Sequence, residues 1–200
     1  MSGPPLVMSA FVVAWLTARL RLAGPVWLAA LGATFAEQSD VLNIGIEGAI
    51  LLGALTSLLV SFYTGMIWVS LLAGVRARVA ANLILAWMYV TVRASQVVAG
   101  LVFNLLAVGV ASAVYRKALG NAAVPESIGM FQPLHLPFLS HLTVIGPELF
   151  GQTILFYLTI ALAFAAHFVL FRTNFGLALR ASGENPAAAN SAGISVYRMR

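Results

Sequence analysis

Six uncharged, apolar runs dominate the chain, at 3–18, 22–36, 48–75, 79–92, 94–115 and 149–171, the last carrying a single His167. A run of that length can be hidden in the core of a large soluble protein, but six of them cannot be hidden in 200 residues. The chain is 61% hydrophobic and 8% charged, against about 25% charged residues in an ordinary soluble domain. With a mean hydropathy of +0.95 over the whole length, the solvent for much of this surface has to be lipid. At about 20 residues per spanning helix the length allows about five or six crossings. The expected fold is therefore an all-α, polytopic transmembrane helix bundle, with no room for a large extramembrane enzyme domain.

The charges that remain are scattered singly or in pairs between the apolar runs. Eleven Lys plus Arg against six Asp plus Glu give a formal charge of +5. The cations are scattered at Arg19/Arg21, Arg76/Arg78, Arg93, Arg116/Lys117, Arg172, Arg180, Arg198 and Arg200, the distribution of residues that orient spans rather than of a surface that grips nucleic acid. Nucleic acid is accordingly not among the expected partners. There is no Cys, so a disulfide framework, a thiol nucleophile and a thiolate metal site are excluded. The N-terminus has no positive region ahead of its first apolar stretch, Leu6 to Ala18, which reads as a retained first span.

Run 48–75 is too long for one straight crossing, about 42 Å of helix against a core of about 30 Å. A turn is expected near Tyr63-Thr64-Gly65, separating a helix over Asn43 to Phe62 from one over Met66 to Val92. The second carries Arg76 and Arg78 near its middle, where a cation must face water, pair with an acid or snorkel, or the helix is two shorter pieces. Val97 to Tyr115 and Thr153 to Phe171 are further spans. Between them, 116–152 contains Gly120, Pro125, Gly129, Pro133, Pro137, Gly146 and Pro147, a density of breakers that predicts a long irregular loop. From Arg172 the chain is polar enough to leave the bilayer. Placing that tail in the cytoplasm puts the 116–152 loop outside, with five cations inside against four outside, so charge alone orients the chain weakly.

Polar residues stand out where they are expensive. Glu37, Asp40, Asn43 and Glu47 fall between two apolar runs; if the stretch is helical, Asp40, Asn43 and Glu47 share one face, while Gly45 and Gly48 permit close approach or unwinding. The group is either a polar element of a translocation path or a solvated connection in which Glu47 pairs with an Arg. Gln96, Gly100 and Asn104 recur every four residues on an otherwise apolar span, as interhelical hydrogen-bonding groups or as one wall of a path. Phe103 beside them either packs or stacks on a ligand ring. Gly24-Pro25 can break a helix at membrane depth, as transporters do. The three His, at 135, 141 and 167, form no metal-ligand motif. In the tail, Asn185 is suited to cap a helix, Pro186 to begin it and Gly193 to end it, which predicts about two turns of helix.

Three blocks carry a family resemblance. Pro25-Val-Trp-Leu-Ala-Ala-Leu-Gly32 followed by Val41-Leu-Asn-Ile-Gly-Ile-Glu-Gly48 and Leu51-Leu-Gly-Ala54 is the first. Gln96-Val-Val-Ala-Gly100-Leu-Val-Phe-Asn104 is the second, and Phe175-Gly-Leu through Arg180, Gly183-Glu-Asn-Pro186, Ala188 and Gly193-Ile is the third. Together they resemble the permease subunits of bacterial ATP-binding-cassette importers for branched-chain amino acids, simple sugars and nucleosides, most closely the nucleoside and simple-sugar permeases.

The resemblance implies a multi-pass subunit of the bacterial cytoplasmic (inner) membrane that translocates a nucleoside or simple sugar. It would itself be no enzyme and hold no cofactor or metal, ATP being hydrolysed on a separate cytoplasmic ATP-binding subunit. Its other expected partners are a second permease subunit, identical or different, an extracytoplasmic substrate-binding protein and membrane lipid. Residues 1–171 would form the permease domain, with 116–152 outside, and 172–200 the cytoplasmic coupling segment. Asn43, Gly45, Glu47, Gly48, Gln96, Gly100 and Asn104 would lie along the substrate path. Arg180, Gly183, Glu184, Asn185, Pro186 and Ala188 would couple to the ATPase. Arg76 and Arg78 depart from the family's plain apolar helix. The family continues beyond the coupling segment with further helices, so the chain reads as a C-terminally truncated permease. The alternative from the residues alone is a self-contained secondary transporter or channel using Asp40 and Glu47 as ion or proton sites.

Overall fold

A computed structural model describes residues 4–120, 131–132 and 152–199. Every regular element among them is a helix: α1 (Pro4–Glu37), α2 (Ile46–Thr64), α3 (Ile67–Ala86), α4 (Gln96–Leu119), α5 (Ile154–Arg172), α6 (Asn174–Glu184), α7 (Pro186–Ser191) and α8 (Val196–Met199). The predicted all-α membrane fold is what forms. Of these helices α2, α3 extended to Thr91, α4 and α5 are long and apolar enough to cross a bilayer, and no more than 28% of the apolar stretch of any of them is buried against the rest of the chain. Leu83, Leu105, Leu106 and Phe164 are each more than 60% exposed, an arrangement that only lipid or a partner chain can cover.

Two expectations for the N-terminal half are overturned. Runs 3–18 and 22–36 lie on one continuous helix of 34 residues, which passes through Pro25 without a break. The residue before a proline normally clashes through its Cβ with the ring; Gly24 removes that one conflict, while the lost Pro25 N–H and the ring against the Arg21 carbonyl are borne by the helix. The segment after α1 is not helical, so Asp40, Asn43 and Glu47 do not share a helix face. The Val41 amide bonds back to the Ala36 carbonyl and the Asp40 amide to that of Glu37, both at 3.0 Å, and Asp40 is left-handed at φ 63°. That is a Schellman closure. The chain then runs unwound to Gly45 before α2 begins.

The turn expected at Tyr63-Thr64-Gly65 is present. Gly65, at φ 65°, donates its amide to the Ser61 carbonyl at 2.8 Å and ends α2. The predicted helix over Met66 to Val92 forms as α3 followed by a π-helical turn, Trp87–Thr91, in which the Val92 amide reaches the Trp87 carbonyl at 3.1 Å. Arg76 is exposed and Arg78 half-buried on its middle turns. Antiparallel α2 and α3 touch backbone to backbone: a Cβ on Gly53 would stand 3.1 Å from the Gly74 carbonyl, and one on Gly74 would stand 2.9 Å from the Gly53 carbonyl and 2.9 Å from Ser57 Cβ. Small residues at such a crossing replace the hydrophobic driving force that lipid cannot supply.

The chain divides into two compact units, Met1–Gly32 with Phe131–Val169, and Ala33–Met130 with Leu170–Arg200. In the first, Trp27 stacks on Phe156 with centroids 6.1 Å apart, and Arg19 lies 3.6 Å over the Trp15 ring. In the second, Val41, Ala49, Ala81, Leu85, Tyr89, Ala99 and Phe103 form the core. Phe103 is therefore a packing residue. Of the predicted loop 116–152, the first four residues belong to α4, and most of the remainder, with His135 and His141, lies outside the described residues.

Candidate functional site

The unwound segment 41–45 lies inside the second unit, where its peptide groups need partners that water would otherwise supply. Those partners come from the polar stripe on α4. Gln96 Oε1 accepts the Leu42 amide at 2.7 Å, and Asn104 Nδ2 donates to the Ile44 carbonyl at 2.9 Å. Asn104 Oδ1 accepts the Gly48 amide at 2.8 Å, in the first turn of α2. Between the two amides, Gly100 lets the seam lie directly on α4, since a Cβ there would stand 2.8 Å from Ile44 Cβ and 2.9 Å from the Gly45 nitrogen. Gly48 does the same from the other side, its missing Cβ 2.9 Å from both Ala107 Cβ and Asn104 Oδ1.

Six of the seven residues grouped from the sequence thus meet in one place: Asn43, Gly45, Gly48, Gln96, Gly100 and Asn104. Glu47 is exposed on the first turn of α2, a favourable position for a carboxylate against the helix dipole. Sequence reasoning missed Asn82 on α3, whose Oδ1 accepts from Asn43 Nδ2 at 3.2 Å. The signal was available, because Asn82 is an amide in the apolar run 79–92 just as Asn104 is in 94–115. Among the described residues no three His, Asp or Glu gather to hold a metal ion.

The tail approaches the same seam from its α1 end. Thr173 caps α6 by accepting the Gly176 amide at 3.2 Å. Near the end of α6, Gly183 lies on the backbone of Gln38, so that an added Cβ would run into the Gln38 carbonyl oxygen and stand 3.2 Å from the Asp40 nitrogen. Arg180 sits 4.9 Å over the Phe171 ring, a cation–π contact. Asn185 Oδ1 then accepts the Ala188 amide at 3.0 Å, and Pro186 begins α7 as predicted. Glu184, Asn185, Pro186 and Ala188 are exposed, whereas Gly183 is half-buried against the turn. Beyond α7, Tyr197 and Thr91 hydroxyls meet at 3.2 Å, beside a cavity of about 390 Å³ lined by Val41, Tyr89, Arg93, Gln96 and Tyr197 among others. One continuous structure therefore runs from the exposed tail helix through the 38–40 turn to the amide-held seam.

The chain is similar to a guanosine ABC transporter permease protein of Bacillus subtilis, with 39% identity over 192 residues that cover 92% of this chain and 60% of that protein. A nucleoside ABC transporter permease protein of Lactococcus lactis is 37% identical over 185 residues, 88% of this chain and 57% of the relative. A putative glucose ABC transporter permease protein of Haloferax volcanii is 31% identical over 194 residues, 95% of this chain and 57% of the relative. The chain thus spans under two thirds of the length of these curated relatives. No solved structure matches it. Residues 15–200 match the family described as branched-chain amino acid transport system / permease component, and with the amide-held seam and capped tail helix lying inside that match, the chain belongs to this family of membrane permease components.

Proposed function

We propose that this chain is the membrane-spanning permease subunit of an ATP-binding-cassette importer that carries a nucleoside or simple sugar across the cytoplasmic membrane. The observation that carries this reading is the link between Gly183 and Gln38. It joins an exposed, capped helix, α7, to an unwound seam held by side-chain amides, which supports reading α7 as a docking element linked to a place where helices are broken. The names of the relatives support the substrate class, two being permeases for guanosine or nucleosides and one a putative glucose permease.

In this reading the permease performs no covalent chemistry. A separate cytoplasmic subunit binds and hydrolyses ATP, and α7 with Glu184, Asn185, Pro186 and Ala188 docks on it. A second permease subunit covers part of the exposed apolar surface, lipid the rest, and an extracytoplasmic binding protein delivers substrate at the 116–152 side. The seam residues Asn43, Gly45, Gly48, Gln96, Gly100 and Asn104, with Glu47 at the start of α2, line the path. Amides, hydroxyls and backbone groups suit a neutral solute rich in hydrogen-bonding groups.

The test is ATP-driven uptake in vesicles holding the permease with its ATPase and binding protein, together with pull-down of the ATPase. Glu184→Ala with Pro186→Gly is expected to weaken capture of the ATPase and to reduce uptake. Uptake that needs no ATPase, or that the double variant leaves unchanged, removes the docking role.

A further inference from the structure

Asn43, Asn82 and Asn104 occupy one layer of the second unit. Asn82 lies nine residues before Thr91, where α3 and its π turn end, and Asn104 eight residues after Gln96, where α4 begins. These positions are about 13.5 Å and about 12 Å from neighbouring helix ends, inside both candidate spans. Asn43 reaches the same layer from the seam through its bond to Asn82.

The hydrogen-bonding capacity of this layer is unevenly used. Asn104 gives its amide nitrogen to Ile44 and its oxygen to Gly48. Asn43 gives its nitrogen to Asn82, and Asn43 Oδ1 is buried with no partner. The other buried side-chain atoms in that condition among the described residues are Ser61 Oγ near the far end of α2, Tyr89 OH in the π turn and Arg180 Nε in the tail. Of these, Asn43 Oδ1 and Tyr89 OH lie at the seam, and Asn43 is the one whose other amide atom is held by a side chain of a neighbouring helix. A buried, unused acceptor is unfavourable in a membrane protein unless something comes to it.

We infer that Asn82 is a positioning residue for substrate: by accepting from Asn43 Nδ2 it holds the Asn43 amide in the orientation that keeps the buried Oδ1 without a protein partner, to be met by a hydroxyl or N–H donor of a neutral solute when the seam parts during transport. The inference rests on the permease reading above and deepens it. With Asn43, Asn82 and Asn104 all uncharged amides, the layer offers a donor-bearing neutral molecule a partner and offers a cation no counter-charge.

Radiolabelled guanosine and glucose, taken up under ATP by proteoliposomes containing the full complex, provide the probes. Asn82→Leu is expected to raise KM for the transported probe about tenfold, the worth of one well-placed hydrogen bond, with maximal rate and membrane insertion unchanged. Asn82→Asp, whose carboxyl oxygen still accepts from Asn43, is expected to keep KM within about twofold of wild type. Should Leu impair insertion, Asn82→Ala removes the acceptor without bulk and carries the same expectation. An unchanged KM in the Leu or Ala variant overturns the inference, as does an Asp variant no better than Leu. Wild-type complex that takes up neither probe instead overturns the permease reading for these solutes, and the inference falls with it.

Discussion

Asn104 holds the start of α2 against α4, accepting the Gly48 amide at 2.8 Å and donating to the Ile44 carbonyl at 2.9 Å. One side chain on α4 thereby inserts into the single bond, Gly48 N–H to Ile44 C=O, that a continuous helix would have made for itself, and satisfies both of its ends. The seam is unwound because α4 supplies its partners.

Asn104→Leu should therefore destabilise the protein more than an ordinary amide deletion in a span. It leaves the Gly48 N–H and the Ile44 C=O without their amide partner, at a cost of about 1–3 kcal/mol for each group that stays unsatisfied. Detergent-solubilised variant should melt earlier, and Asn104→Gln should not rescue it, because the longer side chain displaces the amide from both groups. A melting temperature equal to wild type would mean that the seam finds other partners.

Gly183→Ala tests the contact between tail and turn. The methyl group has no room against the Gln38 carbonyl, so the end of α6 has to lift. If the chain is the permease subunit proposed above, ATP hydrolysis by the complex should persist while uptake per ATP falls, by about tenfold if the lifted contact weakens transmission by about 1.4 kcal/mol. Full coupling in this variant would show that force does not pass through this contact.

Gly74→Val addresses the crossing of α2 and α3, where the new side chain would meet the Gly53 carbonyl and Ser57. Overpacking of this kind costs about 1–3 kcal/mol. Resistance of the α2–α3 hairpin to unfolding in rising SDS should fall accordingly. Valine at the exposed position Ala80 on the same helix is the control and should leave the resistance unchanged.

Asn185→Ala removes the cap of α7, worth about 1 kcal/mol. The Ala188 amide, which Asn185 holds at 3.0 Å, should exchange with deuterium several-fold faster, and Asn185→Asp or Asn185→Ser should restore protection. Equal exchange in all three would assign the order of α7 to packing at the buried Ala189.

Much of the molecule is legible in the amino-acid sequence. The turn at Gly65, the spans α4 and α5 and the Asn185-Pro186 start of α7 follow from rules that act within a few residues: lipid demands long apolar runs, glycine accepts the left-handed cap, and a side-chain oxygen satisfies a nearby amide. The stripe Gln96, Gly100, Asn104 is visible because helical spacing is periodic. Two local inferences fail for equally local reasons. α1 runs on through Pro25, where Gly24 removes one of the proline's conflicts, and a Schellman closure at Asp40 ends the helix that would have aligned Asp40 with Glu47.

By itself, the sequence determined that this is an all-α membrane protein, where most of its spans run and where its tail helix starts, because these depend on transfer to lipid and on bonds between near neighbours. Only the tertiary structure decided which partners the polar residues find. Asn104 and Gly48 are 56 positions apart, and Asn43 and Asn82 are 39 apart. Gly183 meets Gln38 from the other end of the chain. An amide at membrane depth must find a partner, but which one it finds is set by how helices cross at glycines such as Gly53, Gly74 and Gly100, and no local pattern encodes that choice.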